Sequence, residues 1–145
     1  GIVVGLTSYI TKGHLARAVL EATVWQTWEV VNAMTLESGV PLARLAVDGG
    51  MTSNHLMMQY NADVLNVPVV RPFVSETVSL GAAYSAGLAV GYWPDRAALR
   101  ANRHIAAAWY PNMDSRTRRR EAAGWKSAVA RALTPADVGL RDDGA

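Results

Sequence analysis

Leu42-Ala43-Arg44-Leu45-Ala46-Val47-Asp48-Gly49-Gly50-Met51-Thr52-Ser53-Asn54 carries the clearest structural signal in the chain. Its first half, Leu42 to Val47, is short and apolar apart from Arg44, as a buried strand is. Asp48-Gly49-Gly50 ends it in a tight turn. Thr52 or Ser53 can then cap a helix, and Leu56, Met57, Tyr60 and Val64 follow at helical spacing, with Asn66 closing the run. The stretch therefore reads as a strand, a two-glycine turn and a helix.

Upstream, the apolar run GIVVGLT at residues 1–7 predicts a strand or the end of one. Thr11 caps a long helix whose face carries Leu15, Ala18, Val19, Ala22 and Trp25, and which runs to about Leu36 before Gly39 stops it. Downstream, Val67, Val69 and Val70 form a second short strand fenced by Pro68 and Pro72. Ser75 or Thr77 opens a third helix through Gly91. Its LGAAYSAGLAVG run is dense in small residues and predicts close packing against a neighbouring backbone. Pro94 starts a short polar helix, His104 to Tyr110 read as extended, and Asp114 caps a last helix to about Leu133. Residues 137–145 read as a frayed, disordered tail.

Alternating strands and helices define an α/β layer fold. The chain has 145 residues, half of them hydrophobic and 18% charged, which suits one globular unit. Yet the strands are few for a complete sheet, which predicts a piece of a larger fold with further strands upstream. Nothing at the start reads as a signal peptide, and the chain opens at Gly1 rather than Met, leaving room for an upstream segment. With no cysteine, disulfides, thiolate zinc sites and cysteine nucleophiles are excluded, and a reducing cytosol is compatible. No apolar run has the length of a membrane span.

The net charge is only +2, but it is uneven. Arg96, Arg100 and Arg103 precede a run of Arg116, Arg118, Arg119 and Arg120. A nucleic-acid patch is one reading. No aromatic side chain interleaves the arginines and Glu121 follows at once, so the run is taken as a solvated helix face, with no nucleic acid and no membrane as partner.

The turn at residues 48–54 is the best candidate for chemistry. Two glycines let a ligand approach the main chain, and the following helix aims free N–H groups and its positive end at the same spot. Asn54 can both donate and accept, as recognition of a ribose or base requires. Spacing alone leaves two readings open, a nucleotide site and an ordinary tight turn. The chain holds neither GxxxxGK[ST] nor GxGxxG, so neither the P-loop nor the dinucleotide fingerprint is present. His14, His55 and His104 lack carboxylate neighbours at metal-ligand spacing, and no metal residues are assigned. Glu21 and Gln26 could orient the turn, but satisfying other partners is the preferred reading. No complete catalytic set can be assembled.

Three segments together become specific. VDGGMTSN (47–54), ETVSLGAAYSAGLAVGYW (76–93) and GWKSAVARA (124–132) resemble the C-terminal domain of glycerol kinases, members of the carbohydrate-kinase family. GLT (5–7) and TKGHLARAVLEATVWQT (11–27) look like that family's GLT and following helix. The resemblance covers residues 1 to about 133. It implies a partial α/β lobe of ribonuclease-H-like, actin-like ATPase type, the C-terminal portion of a two-lobed kinase, with the nucleotide-binding lobe at 1–136. It implies ATP or ADP with Mg as cofactors, glycerol as a partner through the N-terminal lobe, a homo-oligomer when full length, and a cytoplasmic location. Gly50 and Asn54 match the family's nucleotide contacts, so Gly49, Gly50 and Asn54 are the predicted nucleotide-binding residues. Asp48 matches the family's aspartate at the strand end; support of the loop and of a metal-bound water shell both stay open for it, and no firm role is assigned.

In glycerol kinases the general-base aspartate, the glycerol-binding residues and the phosphate loop lie upstream. No counterpart exists in this chain, so no catalytic residue is assigned and the isolated chain is expected to be inactive. Two departures stand out: Ser8-Tyr9-Ile10 replaces the usual Arg-Gly and small residue, and Val78-Ser79 replaces Thr-Ala. A kinase of another polyol or sugar, and a non-catalytic nucleotide-binding module, remain the alternatives.

Overall fold

The computed structural model describes residues 1–74, 76–102 and 104–133. Five helices and three strands follow one another along the chain: α1 (Lys12–Ser38), β1 (Leu45–Ala46), α2 (His55–Leu65), β2 (Val69–Pro72), α3 (Thr77–Ala89), α4 (Arg96–Ala101), β3 (Ile105–Trp109) and α5 (Ser115–Leu133). The strands form one sheet in the order β1-β2-β3. β1 and β2 run parallel, with Leu45 opposite Val69 and Ala46 opposite Val70. β3 pairs antiparallel with β2, Val69 opposite Trp109, and the register slips between Arg71 and Pro72.

The core lies where α1 and α2 cover the sheet. Val24, Trp25, Met57, Met58, Tyr60, Ala62, Val64, Val69 and Trp109 are its buried members. Apolar spacing on α2 put Met57, Tyr60 and Val64 inward, and all three are buried. Trp25 is the hub. It stacks on Trp125 of α5, meets Trp28 and Tyr60 edge-on, and donates its Nε1–H to the Tyr60 hydroxyl at 3.1 Å.

α5 is fastened to this core by polar side chains. Tyr60 donates to Glu121 Oε2 at 2.8 Å, and Trp125 Nε1 donates to Glu29 at 3.0 Å. Arg118 donates to the Asp63 and Met113 carbonyls, so one member of the arginine run docks the helix, while Arg116, Arg119 and Arg120 are exposed. Asp114 caps α5 as its sequence position predicted, accepting from the Arg116 and Thr117 N–H groups. The bonds from Thr117, then Arg116, hold its carboxyl below the ordinary range.

Burial, and then the bond to Glu121, push the Tyr60 phenol well above its ordinary value of 10.0. An unfolded chain gives up this proton from about pH 10, whereas the folded chain keeps it, so stability falls as pH rises past that point. We expect the urea midpoint to drop more steeply above about pH 10 in the natural chain than in Tyr60→Phe. Equal slopes would show that Tyr60 titrates alike folded and unfolded.

Several expectations are corrected. Residues 1–7 form no strand, and Ile2, Val3, Val4 and Leu6 are exposed at 46, 64, 45 and 62%. The run has strand-like side chains, but nothing among the described residues lies beside it to pair its backbone. On α1 only the last member of the predicted face, Trp25 in the middle of the helix, is buried. Leu15 and Val19, in its first turns, are 43 and 67% exposed. On α2, Leu56 is exposed rather than buried.

α3 ends at Ala89, not Gly91, and among its residues only Gly87 is buried. Its small residues predicted a neighbouring backbone. The neighbour found is Trp93 of the same segment, whose ring would lie 2.2 Å from a Cβ on Gly87. Glu76 occupies the N-cap position of α3. Ser75, Arg103 and the predicted 137–145 tail lie outside the described residues.

Candidate functional site

β1 and β2 both run toward the 48–54 turn, so their C-terminal ends, Val47-Asp48 and Pro72-Phe73, meet at one edge of the sheet. Ligands of open α/β sheets bind at that edge. Gly49 stands at φ 86°, ψ 173°, a conformation essentially closed to residues with a Cβ. Gly50 has no φ in the left-handed region, and a Cβ built on it meets nothing within 4 Å. The first glycine is thus demanded by the backbone, and the second leaves open space beside the main chain.

The turn differs in one respect from its sequence reading. Thr52 and Ser53 are not the N-cap of α2; they lie in a 3₁₀ turn over Gly50–Ser53. Thr52 donates its N–H and its hydroxyl to the Gly49 carbonyl at 3.1 and 2.7 Å, and Ser53 Oγ donates to the Gly50 carbonyl at 2.8 Å. Hydroxyls that bond their own turn compete with a helical start. The cap is Asn54, whose Oδ1 accepts from the Met57 N–H at 3.0 Å. The amide that was to both donate and accept has its oxygen engaged. Its Nδ2 makes no hydrogen bond among the described residues and is left as a donor.

Two clefts open beside the turn. The smaller, about 400 Å³, is lined by Gly49, Gly50, Thr52, Ser53, Arg71 and Glu76, among others. The larger, about 1010 Å³, lies between the sheet and α3 and α4, with Asp48, Phe73, Thr77 and Tyr84 in its wall. The turn's glycines face the smaller one. Their chemistry outweighs mere size, since the larger cleft holds neither Gly49 nor Gly50. Asn54 lines neither cleft, so Gly49 and Gly50 come together and Asn54 stands apart at the helix start.

Two side chains missed by the sequence reading hold the turn. Arg71 Nη1 donates to the Thr52 carbonyl at 2.9 Å, and Thr77 Oγ1 donates to Asp48 Oδ2. Both come from distant segments, and no local pattern could have signalled them. Glu21 instead pairs with Arg17 on its own helix at 2.6 Å, and Gln26 is exposed. His14 Nδ1 accepts the Thr11 N–H at 3.1 Å and so closes the start of α1. Among the described residues no three His, Asp or Glu side chains gather as a metal-holding group, and no helix is long and apolar enough to cross a membrane.

A glycine turn at the ends of parallel strands, with helices packed on the sheet, occurs in many α/β proteins; the family match and the superposing kinase structure make this one a partial lobe of the actin-like ATPase fold. The chain belongs to the FGGY family of carbohydrate kinases, whose C-terminal domain matches residues 1–90. It is 60% identical over 133 residues to "Glycerol kinase 1" of Streptomyces avermitilis, covering 92% of this chain and 26% of that protein. To "Glycerol kinase" of Chloroflexus aggregans it is 59% identical over 131 residues, covering 90% and 26%. The solved Plasmodium falciparum glycerol kinase with ADP superposes with a TM-score of 0.83 at 34% identity, over 89% of this chain and 26% of that one. The chain thus spans about a quarter of the length of the curated relatives it matches.

Proposed function

We propose that this chain supplies part of the ATP site of a glycerol kinase, which transfers the γ-phosphoryl group of Mg-ATP to glycerol and yields glycerol 3-phosphate. The reading is carried by the Gly49 turn, with its forbidden φ and its open cleft, in a chain 60% identical to a glycerol kinase. The superposing relative with ADP supports a nucleotide as the ligand. Gly49 and Gly50 expose main chain for close approach, and Asn54 offers its free Nδ2 donor to a ribose or base. Phosphoryl transfer also needs a group at the attacking hydroxyl. In this proposal the base, the glycerol contacts and the rest of the phosphate site belong to the upstream lobe.

Mg²⁺ commonly rests on one or two carboxylates plus the substrate's phosphates. Asp48, at the strand end, held by Thr77 and in the wall of the larger cleft, and Glu76, in the wall of the smaller, are the carboxylates beside the turn that would hold such an ion through bound water. When present the ion neutralises phosphate charge. A cytoplasmic location and a homo-oligomeric whole enzyme belong to the same proposal. The cysteine-free composition and the exposed Val78 and Val90 are in keeping with them.

Calorimetric titration of Mg-ADP into the natural chain, Asn54→Ser and Asn54→Ala tests the reading. Serine keeps an N-cap acceptor and removes the amide donor, so its melting temperature should hold while affinity falls about tenfold, the size of one lost polar contact. Alanine should lose the affinity and about 1 kcal/mol of stability as well. Unchanged affinity in the serine variant would remove Asn54 from the site, and no binding to the natural chain counts against a nucleotide at this turn.

A further inference from the structure

The geometry points to Arg71 as the positioning residue of the nucleotide turn. The inference rests on the nucleotide reading for its purpose, but its structural content stands separately. Arg71 sits on the central strand, two residues after the fully buried Val69. Its Nη1 donates to the Thr52 carbonyl at 2.9 Å, and its guanidinium lies 5.8 Å from the centre of the Trp109 ring. Thr52 is 5% exposed and ties itself to the Gly49 carbonyl through both N–H and hydroxyl. A continuous chain of contacts therefore runs from the sheet through Arg71 and Thr52 to Gly49.

Without Arg71 the turn would keep its internal bonds, the helix that follows and the Thr77 bond to Asp48 at its first residue, but nothing from outside would hold the 3₁₀ turn itself. A single 3₁₀ turn is poorly bonded on its own. The guanidinium is suited to the task because its planar fork can stack on a ring and donate at the same time. Among the described residues no carboxylate lies within ion-pair distance of it, although Glu76 lines the same small cleft. It lines the small cleft together with Gly49 and Gly50. One side chain thus fixes the turn and keeps positive charge beside the proposed phosphate-bearing ligand.

Amide hydrogen exchange of the full chain, with Arg71→Met and Arg71→Lys, tests this, alongside Mg-ADP calorimetry on the same three proteins. The Met variant should exchange the Thr52 and Asn54 amides about tenfold faster, with Tyr60 and Ala62 of α2 unchanged, as a local opening requires. Lysine keeps a charged donor and should restore most of the protection. Mg-ADP affinity should fall about tenfold in the Met variant and recover in the Lys variant. Unchanged exchange at Thr52 and Asn54, equal acceleration along all of α2, or a Lys variant that behaves like Met each overturns the assignment. If exchange responds as expected while the natural chain binds no Mg-ADP, Arg71 stands as the clamp of the turn and the nucleotide reading falls.

Discussion

Gly49→Val is expected to abolish measurable Mg-ADP binding while leaving the helical content of the chain nearly intact. At φ 86° and ψ 173° the main chain of Gly49 occupies a region essentially reserved for glycine. A side chain there costs about 1–3 kcal/mol, and a β-branched one lies at the upper end. The turn can relieve that strain only by rotating Gly49, which carries away the carbonyl that Thr52 grips with two hydrogen bonds. The 3₁₀ turn and the wall of the small cleft would shift together. Gly50→Ala is the control. Its φ is ordinary and a Cβ meets nothing within 4 Å, so the fold should tolerate it. Only the ligand's approach would suffer. Circular dichroism and calorimetry on both variants separate the two effects, and a Gly49→Val chain that binds like the natural one would mean that the turn is not the site.

Trp25→Ala is expected to remove the cooperative unfolding transition altogether. Deleting a buried tryptophan costs about 3–5 kcal/mol, against a typical total of about 5–15 kcal/mol for a domain. Here the loss is compounded. Trp25 touches Trp28, Tyr60 and Trp125, and its Nε1–H satisfies the Tyr60 hydroxyl. The core it anchors is small and is shared by α1, α2, α5 and the sheet. Leu36→Ala, at a position 86% exposed, should move the urea midpoint hardly at all, within about 0.5 kcal/mol. Equal midpoints for the two variants would contradict the packing described above.

Much of this architecture was legible because its determinants are local. Thr11 and Gly39 bracket α1, Asn66 ends α2 at a left-handed φ of 57°, and Asp114 starts α5. Periodicity put Met57, Tyr60 and Val64 inside, and the two glycines marked the turn. What escaped depends on partners far along the chain. No pattern within GIVVGLT reveals whether another strand lies beside it. The start of α2 was misplaced by two residues at most, because Thr52 and Ser53 have cap chemistry but spend it on their own turn. Arg71 and Thr77 reach the turn from separations of 19 and 29 residues, beyond any local motif.

The stacking of Trp125 on Trp25 has a kinetic consequence. α1, α2 and the two parallel strands meet within the first half of the chain. α5 closes on them through contacts separated by 61 residues at Tyr60–Glu121 and 96 at Glu29–Trp125. Closing so long a loop carries an entropic cost that is recovered only when the docking contacts form. α5 should therefore dock after its platform has assembled and be the first element to leave it. The paired indoles lie 6.4 Å apart and 17° from parallel, and they separate at that moment. The chain thus carries its own optical clock for the last step of folding.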